Sequence, residues 1–353
     1  MAAPLSPSVP LRGIVVGAGY FSRFHLDAWR RMPDVAILAV ADRDPARARA
    51  AAAEAGVPHA CDAAALPELL DAARPDFLDL ITPPETHLDL VRLAAARGIA
   101  VVCQKPLAPS VSEARAVVDA ARAGGCRLMV HENWRWQPWY REMKRQLDAG
   151  ALGELFSISV RMRLGDGWRV DAYLARQPFF RRYPRLLVYE TAVHFLDTFR
   201  FLGGEITSVY ARLQRRNAAI AGEDAGQIVC GFAGGATAVF DGSRYNESDA
   251  VDARYTFGTV RLDGSRGHLE LDPEGRLTMK RLGEPAHPLD YPHDRRGFAG
   301  DSVLALQRHF IDRLRDGAPF ESSGDDYLRT TELVEACYRS HARGEVEHVP
   351  SPP

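Results

Sequence analysis

The sequence has no long hydrophobic run. No stretch of about 18 apolar residues occurs in its 353 residues, so a membrane-spanning helix is not expected. The segment Met1–Pro10 has no positively charged start and no apolar core, which argues against a secretory signal. Cysteine is sparse. Cys61, Cys103, Cys126, Cys230 and Cys337 form no CxxC pair and match no histidine at zinc-finger spacing. This predicts reduced, mostly buried thiols in a soluble cytoplasmic protein rather than a disulfide scaffold. No HxxxH, HExxH or carboxylate cluster stands at ligand spacing, so no metal is expected. Charge of one sign is also missing: 44 basic and 46 acidic residues leave a net −2. Neither nucleic acid nor a membrane surface is an expected partner. The basic residues at 176–185 are interrupted by aromatics and prolines, and read as a loop near an active site or a subunit contact.

What is present is ordinary globular material, 46% hydrophobic and 25% charged. The length suggests two domains, because a single core rarely grows past roughly 250–300 residues. In the first part, short apolar runs at 11–16, 36–41, 77–81, 100–103 and 127–130 alternate with helical patterns at 21–31, 45–55, 86–97 and 112–123. Pro45 after Asp44 marks one helix start, and Gly56, Gly98 and Gly124 mark helix ends. Strands separated by helices of this length predict βαβ units and a parallel, doubly wound sheet. Ligands on such a sheet sit at the carboxyl ends of the strands. Gly17, Asp42, Thr82, Lys105 and His131 then converge on one crevice.

After about residue 150 the rhythm changes. Residues 155–164 alternate, with Phe156, Ile158, Val160 and Met162 on one face. Further strands are expected at 206–213, 227–232, 237–241, 254–258, 260–263, 267–271 and 276–279. Helices at 188–202, 301–315 and 325–340 are expected to cover one face of that sheet. The fold class is thus α/β: a dinucleotide-binding Rossmann domain over 1–131, and over 132–353 an α+β substrate-binding and oligomerisation domain with a large, open, mostly antiparallel sheet.

The turn Gly17-Ala18-Gly19-Tyr20-Phe21-Ser22 follows a strand and opens a helix. It departs from G-x-G-x-x-G only in its last position, where Ser is still small. The helix start would face the phosphates of a dinucleotide. Asp42 ends the second strand at the distance where a carboxylate accepts bonds from the adenosine ribose hydroxyls. That carboxylate would repel a 2′-phosphate, favouring NAD over NADP. Arg43 beside it is the complication, since an arginine could pair with such a phosphate or stack on adenine.

Three more stretches complete a joint pattern: Thr82-Pro83-Pro84-Glu85-Thr86-His87, Cys103-Gln104-Lys105-Pro106-Leu107, and Tyr189-Glu190-Thr191-Ala192-Val193-His194-Phe195-Leu196-Asp197. Together with the glycine turn, the chain resembles the glucose–fructose oxidoreductase, inositol dehydrogenase and rhizopine-catabolism (Gfo/Idh/MocA) family from Leu11 to about Val349. The resemblance implies an NAD-dependent dehydrogenase oxidising a sugar hydroxyl, either an aldose hemiacetal to a lactone or a cyclic polyol to a ketone. It also implies a homodimer or homotetramer formed through the C-terminal sheet. Two departures stand out. The family's Glu-Lys-Pro is Gln104-Lys105-Pro106 here, and its Asp-x-x-x-His is Glu190-x-x-x-His194. The Gln-Lys-Pro variant and the Asn133-Trp134-Arg135-Trp136 segment are similar to aldose-oxidising members, including those for branched pentoses such as apiose.

These residue types suit the chemistry. Histidine, with an ordinary pKa of about 6.5, is matched to removing a hydroxyl proton near neutral pH. A lysine cation stabilises the oxygen's developing negative charge. Glu190 and His194, four apart, would share one face of a helix, so that Glu190 grips a neighbouring hydroxyl or orients the imidazole. The resemblance thus gives Lys105, His194 and Glu190 the catalytic roles. Gly17, Ala18, Gly19, Tyr20, Phe21, Asp42, Arg43, Thr82, Pro83, Gln104 and Lys105 are expected to contact NAD, and His87 is either a helix cap or a cofactor contact. Asn133, Arg135, Arg163 and Trp168 are expected to join Lys105, Glu190 and His194 around the substrate. The tryptophans near 134 either wall a sugar site or form an aromatic core. Two other functions compete: an NAD-retaining glycoside hydrolase of the same superfamily, and a non-catalytic NAD-binding sensor.

Overall fold

The computed structural model describes residues 9–350. Most of the N-terminal segment considered for a signal lies outside them. Among the described residues no helix is long and apolar enough to cross a membrane. The chain forms two compact units. The first runs up to Asn133 and takes in Ser302–Thr331; the second is Trp134–Asp301 with the chain from Glu332 onward.

The first unit carries six parallel strands, β1 (Leu11–Val16), β2 (Val35–Asp42), β3 (His59–Asp62), β4 (Phe77–Leu80), β5 (Ala100–Gln104) and β6 (Leu128–His131). Their order is β3-β2-β1-β4-β5-β6, so the winding reverses between β1 and β4. β4, β5 and β6 are buried along their whole length, which is why they read as unbroken apolar runs. Helices α1 (Ser22–Arg30), α2 (Pro45–Ala55), α3 (Leu66–Ala73), α4 (His87–Ala95) and α5 (Val111–Ala123) connect them. Asp44 caps α2 by accepting from the N–H groups of Ala46 (2.9 Å) and Arg47 (3.4 Å), and Gly56 ends it at φ 71°. Strand β3 and helix α3 were not expected. β3 is a short, solvent-facing edge strand without an apolar run, and α3 shows only Leu66 and Leu70 as buried positions.

The second unit opens with α6 (Pro138–Asp148), also unexpected, whose buried face is Trp139, Tyr140, Glu142 and Met143. Its sheet contains β7 (Leu155–Arg163), β8 (Ile206–Gln214), β9 (Ala225–Phe232), β10 (Thr237–Ser243), β11 (Thr259–Gly264), β12 (Gly267–Leu271), β13 (Leu277–Arg281), β14 (His287–Pro288) and β15 (Glu347–His348). The order is β14-β13-β12-β11-β7-β10-β9-β8-β15, antiparallel except for the β7–β10 pair. Ile158, Val160 and Met162 of β7 are buried as expected, but Phe156 at its start is 51% exposed. Helix α7 (Val193–Gly203) packs on this sheet through Phe195, whose ring lies 4.9 Å from that of Phe240.

Two expectations are corrected. Residues 254–258 form turns rather than a strand. Tyr255, Thr256 and Phe257 are all buried, without the alternation of a strand, Phe257 (φ 59°) and Gly258 (φ 126°) are left-handed, and a Cβ on Gly258 would stand 2.2 Å from the Arg161 carbonyl oxygen. Helix α8 (Ser302–Asp316) belongs to the first unit, not to a second domain running unbroken from 132 to 353. Phe310 meets Phe77 edge-on at 5.5 Å and Arg308 bonds Asp34 at 2.7 Å. Periodicity shows that a helix buries a face; it does not show against which sheet. The last helix, α9 (Gly324–Arg343), contains the division between the units.

Candidate active site

In the first unit the chain leaves β1 through Gly17 at φ 105°. A Cβ there would stand 2.5 Å from the Ile81 carbonyl oxygen, so only glycine fits this close approach. The Asp42 carboxylate, at the end of β2, accepts from the Ala18 N–H (2.6 Å) and the Asp44 N–H (2.8 Å), and so ties the glycine turn to the second strand. Ser22 replaces the pattern's third glycine without clash. Its hydroxyl turns back and donates to the Gly19 carbonyl at 2.7 Å. Tyr20 projects outward at 40% exposure, and Arg23 stacks on its ring at 4.5 Å. Phe21 is half-buried and Arg43 is exposed beyond Asp42.

These residues fit a dinucleotide. Nothing lies within 4 Å of where a Cβ of Gly19 would stand, which leaves a cradle beside the start of α1. No side chain caps that helix start, and its N–H groups and positive dipole end suit a pyrophosphate. The Asp42 carboxylate at the end of β2 would face the ribose of such a dinucleotide.

The loop after β4 is braced. The Thr86 hydroxyl donates to the Pro83 carbonyl (2.8 Å) and lies 2.7 Å from the Thr82 hydroxyl. His87 is fully buried, with Nδ1 2.9 Å from the Leu107 carbonyl oxygen and Nε2 3.0 Å from that of Thr82. Burial lowers its pKa despite these carbonyls. His87 is therefore neither an open cofactor contact nor a cap: it spans the Thr82 loop and the Lys105 loop. Lys105 is half-buried at the end of β5, and its backbone N–H donates to Gln104 Oε1 at 2.8 Å. Lysine is scarce in this chain; the only others are Lys144, paired with Asp148, and Lys280, which is exposed.

In the second unit Glu190 and His194 lie on consecutive but different helical forms. Residues Leu187–Ala192 form a π turn, and α7 begins at Val193. The expected i, i+4 face of a regular helix is thereby altered, because a π turn inserts an extra residue. His194 is buried and its ring lies flat on Trp134, centroids 3.8 Å apart and planes 11° apart. The next residue, Arg135, forms a bidentate pair with Asp197, one turn on from His194 (Nε–Oδ2 2.8 Å, Nη2–Oδ1 2.6 Å). Two neighbouring residues thus hold two positions one turn apart on α7. Behind the π turn, Arg244 donates to Thr191 Oγ1 (2.7 Å), Tyr173 Oη (2.8 Å) and Asp166 Oδ2 (2.8 Å). Burial pushes Asp166 up, but Arg244, Arg254 and Arg176 outweigh it and hold its carboxyl below the ordinary value.

Several expected substrate contacts are corrected. Arg135 is buried in its pair with Asp197. Asn133 is buried, and its amide nitrogen donates to the Ser302 hydroxyl at 2.8 Å, pinning the chain where it re-enters the first unit. Arg163 pairs with Asp241 on the neighbouring strand at 2.6 Å. Trp134 and Trp139 are buried, so the tryptophan segment is an aromatic core rather than an open sugar platform. Trp168 stays 41% exposed, with its indole N–H donating to Glu247 at 3.2 Å. Among the described residues no group of three or more His, Cys, Asp or Glu side chains is placed to hold a metal ion.

Residues 11–132 match the family described as "Oxidoreductase family, NAD-binding Rossmann fold", and 140–270 match the "GFO/IDH/MocA C-terminal domain". The chain belongs to the Gfo/Idh/MocA oxidoreductase family. It is 38% identical over 348 residues to a D-apiose dehydrogenase of Paraburkholderia graminis, covering 96% of this chain and 90% of that one. A D-apiose dehydrogenase of Rhizobium rhizogenes is 34% identical, covering 95% and 96%. Among solved structures, an oxidoreductase from Agrobacterium radiobacter in complex with NAD+, L-tartaric acid and magnesium superposes with a TM-score of 0.87 at 33% identity, covering 96% of this chain and 98% of that one. As a member of the family this chain is an NAD-binding oxidoreductase acting on CH–OH groups. The sequence motifs pointed to the Gly17 turn, Asp42, Thr82 and Lys105. They did not reveal Asp79 and His25 under the Lys105 loop, nor Arg244 and Asp197 under the His194 segment. The only local signal for the first pair is a histidine and a tryptophan four residues apart in α1.

Proposed function

We propose that the protein oxidises an aldose at its ring hemiacetal carbon, giving the lactone, with D-apiose the first substrate to test. One observation carries the reading: Lys105 follows β5 at the carboxyl edge of the parallel sheet, the edge that also carries the glycine turn after β1, in a chain 38% identical to a D-apiose dehydrogenase over 96% of its length. Bound NAD supplies the hydride acceptor. The Lys105 ammonium sits beside the reacting oxygen and favours its negative charge as the proton leaves. A ring nitrogen of His194 takes that proton, and the Trp134 face keeps the imidazole plane fixed. Glu190 holds a neighbouring hydroxyl. Thr82 and Pro83 line the nicotinamide ribose, with Trp168 closing the substrate side.

The same reading places the protein in the cytoplasm. Its five cysteines are unpaired, and burial pushes Cys126 and Cys230 up to about 12. It also places a dimer or tetramer contact on the large sheet, where Val229 of β9 is 40% exposed.

The test is purified protein with NAD and a panel of D-apiose, other aldoses, inositols and sugar acids. Sustained NADH accumulation, fastest with D-apiose, is expected. Release of sugar from a glycoside without net NADH would replace this reading with a hydrolase, and NAD binding without turnover would replace it with a sensor.

A further inference from the structure

The Lys105 loop rests on a buried chain of side chains that starts on the far side of β4. Asp79, in the middle of β4, is fully buried. Its carboxylate accepts from Trp29 Nε1 at 2.7 Å and faces His25 Nδ1 at 2.9 and 3.1 Å. The His25 ring is also fully buried, stacks on His131 at 4.0 Å, and has Nε2 3.2 Å from the Gln104 amide nitrogen. Gln104 Oε1 accepts from the Lys105 N–H.

The proton positions follow from the one donor that cannot change. A backbone N–H only donates, so Gln104 must turn its oxygen to Lys105. Its NH2 then faces His25, so Nε2 accepts and carries no proton. The proton is on Nδ1, where the Asp79 carboxylate requires it. Every group is satisfied with a single neutral imidazole. A glutamate at 104 would face Nε2 with a second carboxylate, and would need a proton there as well.

We infer that Asp79, His25 and Gln104 are positioning residues for Lys105: Asp79 fixes the tautomer of His25, the tautomer fixes the orientation of the Gln104 amide, and the amide fixes the Lys105 backbone. This rests on the role proposed for Lys105. It explains why glutamine stands beside the lysine in this chain, because the charge of the network sits at Asp79. One oxygen of Asp79 serves both donors: it lies 2.7 Å from Trp29 Nε1 and 2.9 Å from His25 Nδ1. In Asp79→Asn the amide oxygen takes that place, still accepts from both, and the ring proton stays on Nδ1. Asp79→Leu removes the acceptor, leaving the indole N–H and Nδ1–H buried without one, and the ring loses the contact that holds Nε2 against Gln104.

Two measurements on the full-length protein test this. Long-range 1H–15N spectra of histidine-labelled protein, with His25 assigned by its loss in His25→Gln, should show an Nδ1–H tautomer in the wild type and in Asp79→Asn. With the substrate found in the sugar panel, Asp79→Leu should lower kcat about 100-fold through misplacement of Lys105, with the NADH Kd within about threefold, while Asp79→Asn recovers most of that loss. A wild-type His25 protonated at Nε2 overturns the inference, and that spectrum decides alone if Asp79→Leu does not fold. Turnover in Asp79→Leu no slower than in Asp79→Asn also overturns it. Unchanged turnover in Lys105→Ala with the expected tautomers would instead defeat the role given to Lys105.

Discussion

The first unit presents its expected reacting group from a strand end, the second from a helix, and the two are held by different forces. Around Lys105 the supports are backbone turns, carbonyl braces from His87 and neutral hydrogen bonds through Gln104, with the charge confined to Asp79. Around His194 they are ion pairs and stacking: Arg135 on Asp197, Arg244 on Asp166, and Trp134 on the imidazole. Neutral hydrogen bonds suffice where the chain leaves a regular strand. A charged support tolerates a π turn, whose irregular backbone must be fixed from outside.

This comparison predicts where substitutions register. The largest effect is expected at the buried pair of the second unit. Asp197→Ala leaves Arg135 without its carboxylate and should cost about 3–5 kcal/mol of stability, read by chemical denaturation. A loss under 1 kcal/mol would show that charge does not hold α7. In the first unit the opposite pattern is expected. Gly19→Val fills an open cradle, so it should weaken NADH binding about 100-fold while the melting temperature of the ligand-free protein stays within a few degrees. Next comes Arg244→Lys, which keeps the charge beside Asp166 but loses the fork to Thr191 and Tyr173. It should lower kcat about tenfold, equivalent to ~1.4 kcal/mol at the transition state, with NADH affinity unchanged. The smallest effect concerns acid. Asp166 has a folded pKa below its unfolded value of about 3.9, so the stability it contributes is complete above that value. That stability is lost as pH falls through the lower folded value. The stability gap between wild type and Asp166→Asn should hold from pH 7 to about 4 and narrow below it; a gap that narrows above pH 5 would contradict the assignment.

Legibility in the sequence followed the same division. Strands β4, β5 and β6 of the first sheet are buried throughout, and the glycine and proline punctuation of this unit is local, so most of its elements and strand-end residues are readable from the sequence; β3 and α3, which bury little, are not. Helix α8 was read as a helix but assigned to the wrong sheet, because its partners Phe77 and Asp34 are far away in the chain. Arg135, Asn133 and Arg163 look like sugar ligands by residue type. Their partners Asp197, Ser302 and Asp241 lie 62, 169 and 78 residues away, and no local pattern announces such pairings. The π turn was hidden for a similar reason: residues 187–192 have an ordinary helical composition, and the contacts that widen the turn come from Arg244 and Tyr338.

Lys105 is the group on which the proposed oxidation most directly depends. Lys105→Ala should bind NADH as the wild type does and lose about 1,000-fold or more in kcat on the sugar that the wild type oxidises fastest, since the removed cation acts only as the oxygen becomes negative. A kcat within threefold of the wild type, at equal NADH affinity, would contradict it.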